Sequence, residues 1–264
     1  MKDILITGAY GGMGRAAVKA FSERGYRVFA LDRSVPEESE EGIIPIVADI
    51  TSSADIERAF SEISAMTEGL SGILHFAGIY MLDSLVEMSE ESFVRAFDVN
   101  LFGAFRINKI FLPLLANGSR IVITASELAP LDPLPFTGIY AITKNSLDRY
   151  AYSLRMELQL LGISVSVLRP GAVKTDMLGV STAALDRFCE NTRLYTCNAK
   201  RFKGVVDKVE AANVAPEKVA HLALKAMEAR KPRYIYNLNR NPLLRLLNML
   251  PPILQTAIIR MILK

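Results

Sequence analysis

The sequence predicts an α/β domain built on a doubly wound parallel sheet in three α/β/α layers. Six short apolar runs, longer stretches of helical period between them, and regular alternation of the two along the chain lead to this class. Strands apolar on both faces belong to a parallel sheet covered by helices on each side. Ile4–Ile6 opens the sheet and a helix over 12–24 follows. Val28–Leu31 is the second strand, and the next crossover, Arg33–Gly42, is acidic, polar and carries Pro36, so it reads as a loop in place of a helix. Then come Ile43–Val47, a helix over 53–67, Ile73–Phe76, a helix over 89–116, Ile121–Ile123, a helix over 139–161 and Val165–Leu168. Residues 177–209 have mixed periodicity, and an insertion of that length after the sixth strand reads as a substrate lid. A helix over 215–230 ends the main domain, which spans residues 1–238; residues 239–264 form a separate amphipathic, basic tail.

Of the 264 residues 50% are apolar and 22% charged, enough for one large domain with a fully buried sheet, and a composition that excludes disordered, collagen-like and repeat chains. A net charge of +3 is too mild to make nucleic acid a partner, but the charge is unevenly placed. Seven Lys or Arg and no acid lie between Arg230 and Lys264, which leaves the remainder at about −4. Cys189 and Cys197 cannot build a multi-bridge framework, and His75 and His221 stand alone, so no metal site is expected. A reducing cytoplasm fits this cysteine usage. A short strand ending in glycine begins almost at once, leaving no room for a secretory apolar segment, and no run reaches the roughly 18 apolar residues of a spanning helix.

After the first strand comes TGAYGGMG, Thr7 to Gly14, opening the first helix. A side chain there would keep a pyrophosphate from the backbone N–H groups of the helix N-terminus, where the dipole favours negative charge, so this position points to dinucleotide binding. Asp32 closes the second strand twenty residues beyond Gly12, the distance at which a carboxylate meets the adenosine ribose. It accepts from the ribose hydroxyls and repels a 2′-phosphate, which favours NAD; the adjacent Arg33 offsets that repulsion in part and keeps NADP as the alternative.

These residues resemble the single-domain type of short-chain dehydrogenase/reductase, whose fold is Rossmann-like, in order and spacing from Met1 to about Met177. The family motif TGxxxGxG fits Thr7, Gly8, Gly12 and Gly14, while Gly11 lets the same stretch satisfy the TGxxGxxG pattern of the sugar-epimerase branch. The resemblance implies cofactor contacts from Gly8, Tyr10, Gly12, Met13 and Gly14, from Asp49 and Ile50 at the adenine, and from Ala77 and Gly78 in HFAG, where the family usually has NNAG. It implies further contacts from Pro170, Val173 and Thr175 near the nicotinamide. His75, at the departure from NNAG, reads as a satisfied core histidine.

Tyr140 and Lys144 lie four apart at the start of a helix and share one face, and the strand before them ends in Ser126, where the family this chain resembles places its catalytic serine. Moving hydride between an alcohol carbon and nicotinamide requires an acceptor for the hydroxyl proton, and a free tyrosine near pKa 10 is a poor base at pH 7. A Lys144 ammonium stabilises the phenolate, and Ser126 holds the substrate oxygen as charge develops on it. The family resemblance implies that Lys144 also holds the nicotinamide ribose and that Asn100, in DVNLFG, positions a water for proton relay. Ser126 stands fourteen residues before Tyr140, one more than the usual family spacing, which reads as a one-residue loop insertion with Thr124 as the fallback hydroxyl.

The tail, NPLLRLLNMLPPILQTAIIRMILK from Asn241, predicts two short amphipathic helices separated at Pro251-Pro252. A membrane interface, the active site and a partner subunit are three places where such helices bury their apolar faces. All three suit an apolar substrate, as do Leu178, Val180, Leu185, Phe188, Leu194 and Pro135-Phe136. The leading expectation is an NAD(P)-dependent oxidoreductase of a lipid-like secondary alcohol or ketone, such as a hydroxysteroid or retinoid. The alternatives are a 3-oxoacyl reductase-type enzyme and a dinucleotide sensor without chemistry; Asn100 and the missing larger C-terminal domain disfavour a nucleotide-sugar epimerase. The resemblance further implies a homodimer or homotetramer packed through the long helices around 89–116 and 139–161.

Overall fold

The structure, a computed structural model, describes residues 2–36 and 40–264; the side chains of residues 176–183 and of residue 210 lie outside the description, and with them those of Leu178 and Val180. Seven parallel strands form one sheet: β1 Lys2–Thr7, β2 Tyr26–Asp32, β3 Ile43–Val47, β4 Leu70–His75, β5 Leu115–Thr124, β6 Ser164–Pro170 and β7 Ile235–Leu238. Their spatial order is β3-β2-β1-β4-β5-β6-β7. The order reverses between β1 and β4, and a ligand crevice opens at such a switch point, outside the carboxyl ends of the strands.

The helices are α1 Gly12–Glu23, α2 Ser53–Ser64, α3 Glu90–Phe97, α4 Gly103–Phe111, α5 Gly138–Leu158, α6 Asp176–Asn191, α7 Thr196–Ala211, α8 Pro216–Glu228, α9 Pro242–Asn248 and α10 Pro252–Leu263. One face of the sheet packs on α1 and α8 through Val18, Phe21, Val219 and Ala223. The other packs on α2 and α4 through Ile56, Ile63, Ile107 and Phe111, and on α5 through Leu147 and Ala151. Leu5, Phe29 and Ile73 are fully buried within it, and burying a side chain of that size stabilises by about 1.5–3 kcal/mol. A fourth apolar cluster lies apart from the sheet: Phe136 meets Leu185, Phe188, Phe202 and Val206 of α6 and α7, and Leu263 of α10.

All six expected strands are present, and the described residues of the second crossover carry no helix; residues 37–39 lie outside the description. Three elements differ from expectation. The seventh strand, β7, is four residues long with only Tyr236 buried, too short for a periodic signal. The helix expected over 89–116 is divided by a π-type turn at Asp98–Phe102, and its end is replaced by a tight turn at Leu112–Leu114 and the start of β5. Pro113 lacks the N–H that would continue the ladder, whereas apolar periodicity continues through a π turn and hides it. The mixed stretch after β6 resolves into two helices, α6 and α7. The tail forms α9 and α10 with Pro251-Pro252 between them, as expected.

His75 ends β4 as a neutral core group. Its Nε2 donates to Asn108 Oδ1 at 2.8 Å, and burial pushes its pKa down from 6.5 to about 4, with that hydrogen bond opposing. Because the folded value lies below the unfolded one, its stabilising contribution is complete above pH 6.5 and is lost as pH falls toward 4. Denaturant midpoints at pH 7 and pH 5 are therefore expected to show a stability loss that His75→Asn reduces by roughly 2 kcal/mol. An identical loss in the variant would contradict the assignment.

Candidate active site

The turn after β1 is built from glycines that the packing requires. Gly8 has φ +66°, and a Cβ there would lie 2.5 Å from Ala77 N. A Cβ on Gly12 would lie 2.6 Å from Thr175 Cβ, and one on Gly14 would lie 1.9 Å from Gly8 O. Gly11 is different, since its Cβ would make only an ordinary 3.5 Å contact with Gly8 O. Of the two patterns this stretch satisfies, the one carried by Gly8, Gly12 and Gly14 is therefore the one the backbone demands. The turn delivers the chain into the N-terminus of α1, where unpaired N–H groups and the helix dipole favour an anion.

A cavity of about 770 Å³ opens beside this turn, with Gly8, Tyr10, Asp32, Asp49, Ile50 and Ala77 on its walls. Asp32 is oriented by the backbone: Tyr10 N donates to Oδ2 at 2.9 Å and Arg33 N to Oδ1 at 2.7 Å. Each oxygen keeps a further lone pair for a ligand hydroxyl. Asp49 accepts at Oδ1 from Thr51 N and Thr51 Oγ1, both at 2.8 Å. Burial pushes its carboxyl up, but the Thr51 hydrogen bonds and the nearby Arg33 charge outweigh it and hold the group below the usual carboxylate range.

A second, narrower cavity of about 170 Å³ shares Phe76, Gly78 and Ile79 with the first. Ser126, Tyr140, Lys144, Pro170, Val173 and Thr175 all face it, with Met13 beside them. Tyr140 and Lys144 stand one turn apart on α5, and Ser126 stands just beyond β5. Burial pushes the Tyr140 phenol up to about 12, while the Ser126 hydroxyl, hydrogen-bonded to it, acts in the opposite direction. Burial lowers Lys144 to about 8. Its Nζ donates to Thr124 O at 3.1 Å and lies 5.8 Å from the centre of the Tyr140 ring. Tyr80 packs edge-on against that ring at 4.6 Å. Thr124, the fallback hydroxyl, also borders this cavity, and its Oγ1 is buried with no hydrogen-bond partner.

Asn100 sits in the π turn and lines neither cavity. Its Oδ1 accepts from Ile79 N at 2.8 Å, and its Nδ2 donates to Ile79 O at 3.0 Å and Thr143 Oγ1 at 3.1 Å. It thus ties the strand-end segment at Ile79 to α5, between Tyr140 and Lys144. A Cβ on Gly78 would lie 3.1 Å from Asn100 Oδ1 and 3.3 Å from Lys144 Nζ, so the glycine lets these side chains approach the junction of the two cavities.

Several residues of the site carry no local sequence signal. Glu127, beside Ser126, is buried against the inner cavity, and its Oε2 accepts from Asn241 N at 2.6 Å. Burial pushes its carboxyl up, with the Asn241 hydrogen bond and the Arg240 charge opposing. Arg240 Nε is buried with no hydrogen-bond partner. Phe202, Val205, Val206 and Val209 of α7 and Leu244 of α9 complete the apolar wall, so the insertion and the tail both reach the inner cavity. The loop between Ser126 and Tyr140 places Phe136 at φ +66°, where its ring is fixed by Phe188, Tyr195 and Phe202 at 4.8–5.4 Å.

The sequence profile of the short chain dehydrogenase family matches residues 2–186. The uncharacterized oxidoreductase YbbO of Escherichia coli K12 is 32% identical over 225 residues, covering 81% of this chain and 82% of that one. Estradiol 17-beta-dehydrogenase 2 of Mus musculus is 31% identical over 189 residues, covering 67% of this chain and 50% of that one. A short chain dehydrogenase from Burkholderia cenocepacia J2315, solved in complex with NADP, superposes with a TM-score of 0.72 over 100% of both chains at 20% identity, a likeness of fold.

Proposed function

The chain belongs to the short chain dehydrogenases, and on that premise we propose that it interconverts an apolar secondary alcohol and its ketone, with NAD favoured over NADP as cofactor. The observation that carries this reading is the convergence of Ser126, Tyr140 and Lys144 on a narrow, mainly apolar cavity that shares a wall with the large one. The large cavity suits a dinucleotide: the glycine turn leaves room for phosphates, and Asp32, Asp49 and Ile50 line the end away from Tyr140. When bound, the nicotinamide cofactor accepts or supplies the hydride. Gly8, Gly12 and Gly14 would shape the phosphate cradle, Asp32 would accept from the adenosine ribose, Asp49 and Ile50 would hold the adenine, and Pro170, Val173 and Thr175 would hold the nicotinamide. Ser126 holds the substrate oxygen, Tyr140 takes or gives its proton, and Lys144 supplies the positive charge that stabilises the phenolate.

The apolar walls of the inner cavity, supplied by α7, α9 and Leu128 and Leu134, support a lipid-like substrate, and the likeness to an estradiol dehydrogenase points the same way. Residues 177–209 act as the lid over it. A panel of sterols, retinoids and acyl ketones, read at the reduced-nicotinamide absorbance band, tests this. Turnover of apolar ketones is expected, and turnover confined to sugars and small polar alcohols would overturn the substrate class.

Asp32 carries the cofactor preference. Asp32→Ala is expected to weaken NAD binding by about tenfold or more, the size of a lost hydrogen bond to a charged group, with NADP affected less. Equal loss for both, measured by calorimetric titration, would undo the preference. Phe102, Phe105, Tyr152 and Met156 project from the π turn, α4 and α5 into solvent. They support self-association through these helices as a homodimer or homotetramer.

A further inference from the structure

The two helices of the tail leave many of their large apolar side chains exposed. On α10 the buried side chains are Leu263 and the polar Gln255, whose Nε2 donates to Asp132 Oδ2 at 3.2 Å and Leu250 O at 2.9 Å. Facing out are Ile253, 83% exposed, and Met261, 77% exposed. Ile253, Ala257 and Met261 follow one another at every fourth position and form a single stripe, flanked by Arg260 and Lys264 on the same face. Leu243, Leu246 and Met249, the last 80% exposed, continue the apolar surface on α9 and the turn after it. The helices are nevertheless anchored to the body: Asn248 Oδ1 accepts from Asp132 N at 2.6 Å, and Asn198 Nδ2 donates to Leu263 O at 2.6 Å. The exposed stripe is therefore a surface of the folded molecule.

Charge identifies what covers it. No acidic residue follows Glu228, and Arg245, Arg260 and Lys264 are exposed among the apolar side chains. Two copies packed through this face would bring the same cations together. An anionic lipid surface instead receives both features, since apolar side chains sink to the acyl boundary while Arg and Lys meet headgroups. Among the described residues no helix is long and apolar enough to cross a membrane, so such contact lies in the plane of the interface. We infer that α9 and α10 dock this protein on anionic membrane surfaces, with Leu243, Leu246, Met249, Ile253 and Met261 as apolar anchors and Arg245, Arg260 and Lys264 on the headgroups. On the proposed function this sets the wall formed by Leu244 between the substrate cavity and the lipid; the docking itself does not depend on that reading.

The test is co-sedimentation of the full chain with vesicles of phosphatidylcholine alone and of phosphatidylcholine mixed with phosphatidylserine. Binding to the mixed vesicles that weakens with added salt is expected, with little binding to the neutral ones. Arg260→Ala/Lys264→Ala is expected to lower affinity for the mixed vesicles by about an order of magnitude or more. Ile253→Ser/Met261→Ser is expected to lower binding to them as well, and both pairs lie on the surface, so unchanged circular dichroism and cofactor binding show that the fold is intact. Absent vesicle binding, or binding that neither pair alters, overturns the inference. So does a serine pair that dissociates an oligomer in sedimentation velocity while the parent protein ignores vesicles, which would make the face a contact between copies. Vesicle binding is read without turnover, so its failure and a failure of the proposed reaction are separable.

Discussion

Tyr140→Phe is expected to lower turnover by roughly 10²–10⁴-fold, the range of a lost general acid–base group, while cofactor affinity stays near that of the parent. The substitution removes one oxygen and keeps the ring, so the edge-on packing of Tyr80 at 4.6 Å survives and the inner cavity keeps its shape. The chemical loss is specific. Ser126 and Lys144 remain, but neither replaces a hydroxyl that burial has pushed up to about 12 and that a nearby positive charge must bring down to work. Stopped-flow turnover together with a binding titration separates the two effects. Retained turnover would remove Tyr140 from the role given to it, and lost cofactor affinity would show that the ring change disturbs the cradle.

Lys144→Met is the second large effect. Methionine is unbranched and of similar length, so it occupies the same space without the charge. Nζ lies 5.8 Å from the centre of the Tyr140 ring. Two unit charges at about that distance interact by roughly 3 kcal/mol at an effective dielectric near 20, or about two pKa units. Alcohol oxidation below the phenol pKa is therefore expected to fall about 100-fold or more, and the acidic limb of its pH profile to move up by about two units. Burial sets Lys144 itself near 8, so in the parent the ammonium predominates at pH 7 and declines above pH 8. An activity loss with an unmoved pH profile would mean that Lys144 only supports the fold, for example through Thr124 O.

The legible parts of this molecule were those whose cause is local. Strand positions followed from runs such as Ile4–Ile6 and Val165–Leu168, because burial on both faces demands apolar residues throughout. The turn at Gly8, Gly12 and Gly14 was legible because close backbone approach excludes any Cβ, and the Tyr140–Lys144 pair because four residues make one helical turn. Long-range pairings were not. Glu127 meets Asn241 across 114 residues of chain, and nothing around either residue signals the other. Leu244 reaches the inner cavity only because the tail folds back over it, and among the alternatives for the tail, sequence periodicity offered no way to choose. The π turn holding Asn100 was hidden for a different reason, since one extra residue per turn leaves the apolar pattern of the surrounding helices nearly intact.

Hydride transfer between a nicotinamide and an apolar carbonyl carbon is the reaction proposed for this site. It is tested most directly by incubating the protein with reduced cofactor carrying deuterium at the transferable C4 position and a ketone drawn from the sterol and acyl panel, then analysing the alcohol by mass spectrometry. One deuterium on the carbinol carbon of the parent's product, and none above background with Tyr140→Phe, is the expected result. Tight cofactor binding with no label transferred to any member of the panel would contradict it, and would favour a dinucleotide-binding protein that works without this chemistry.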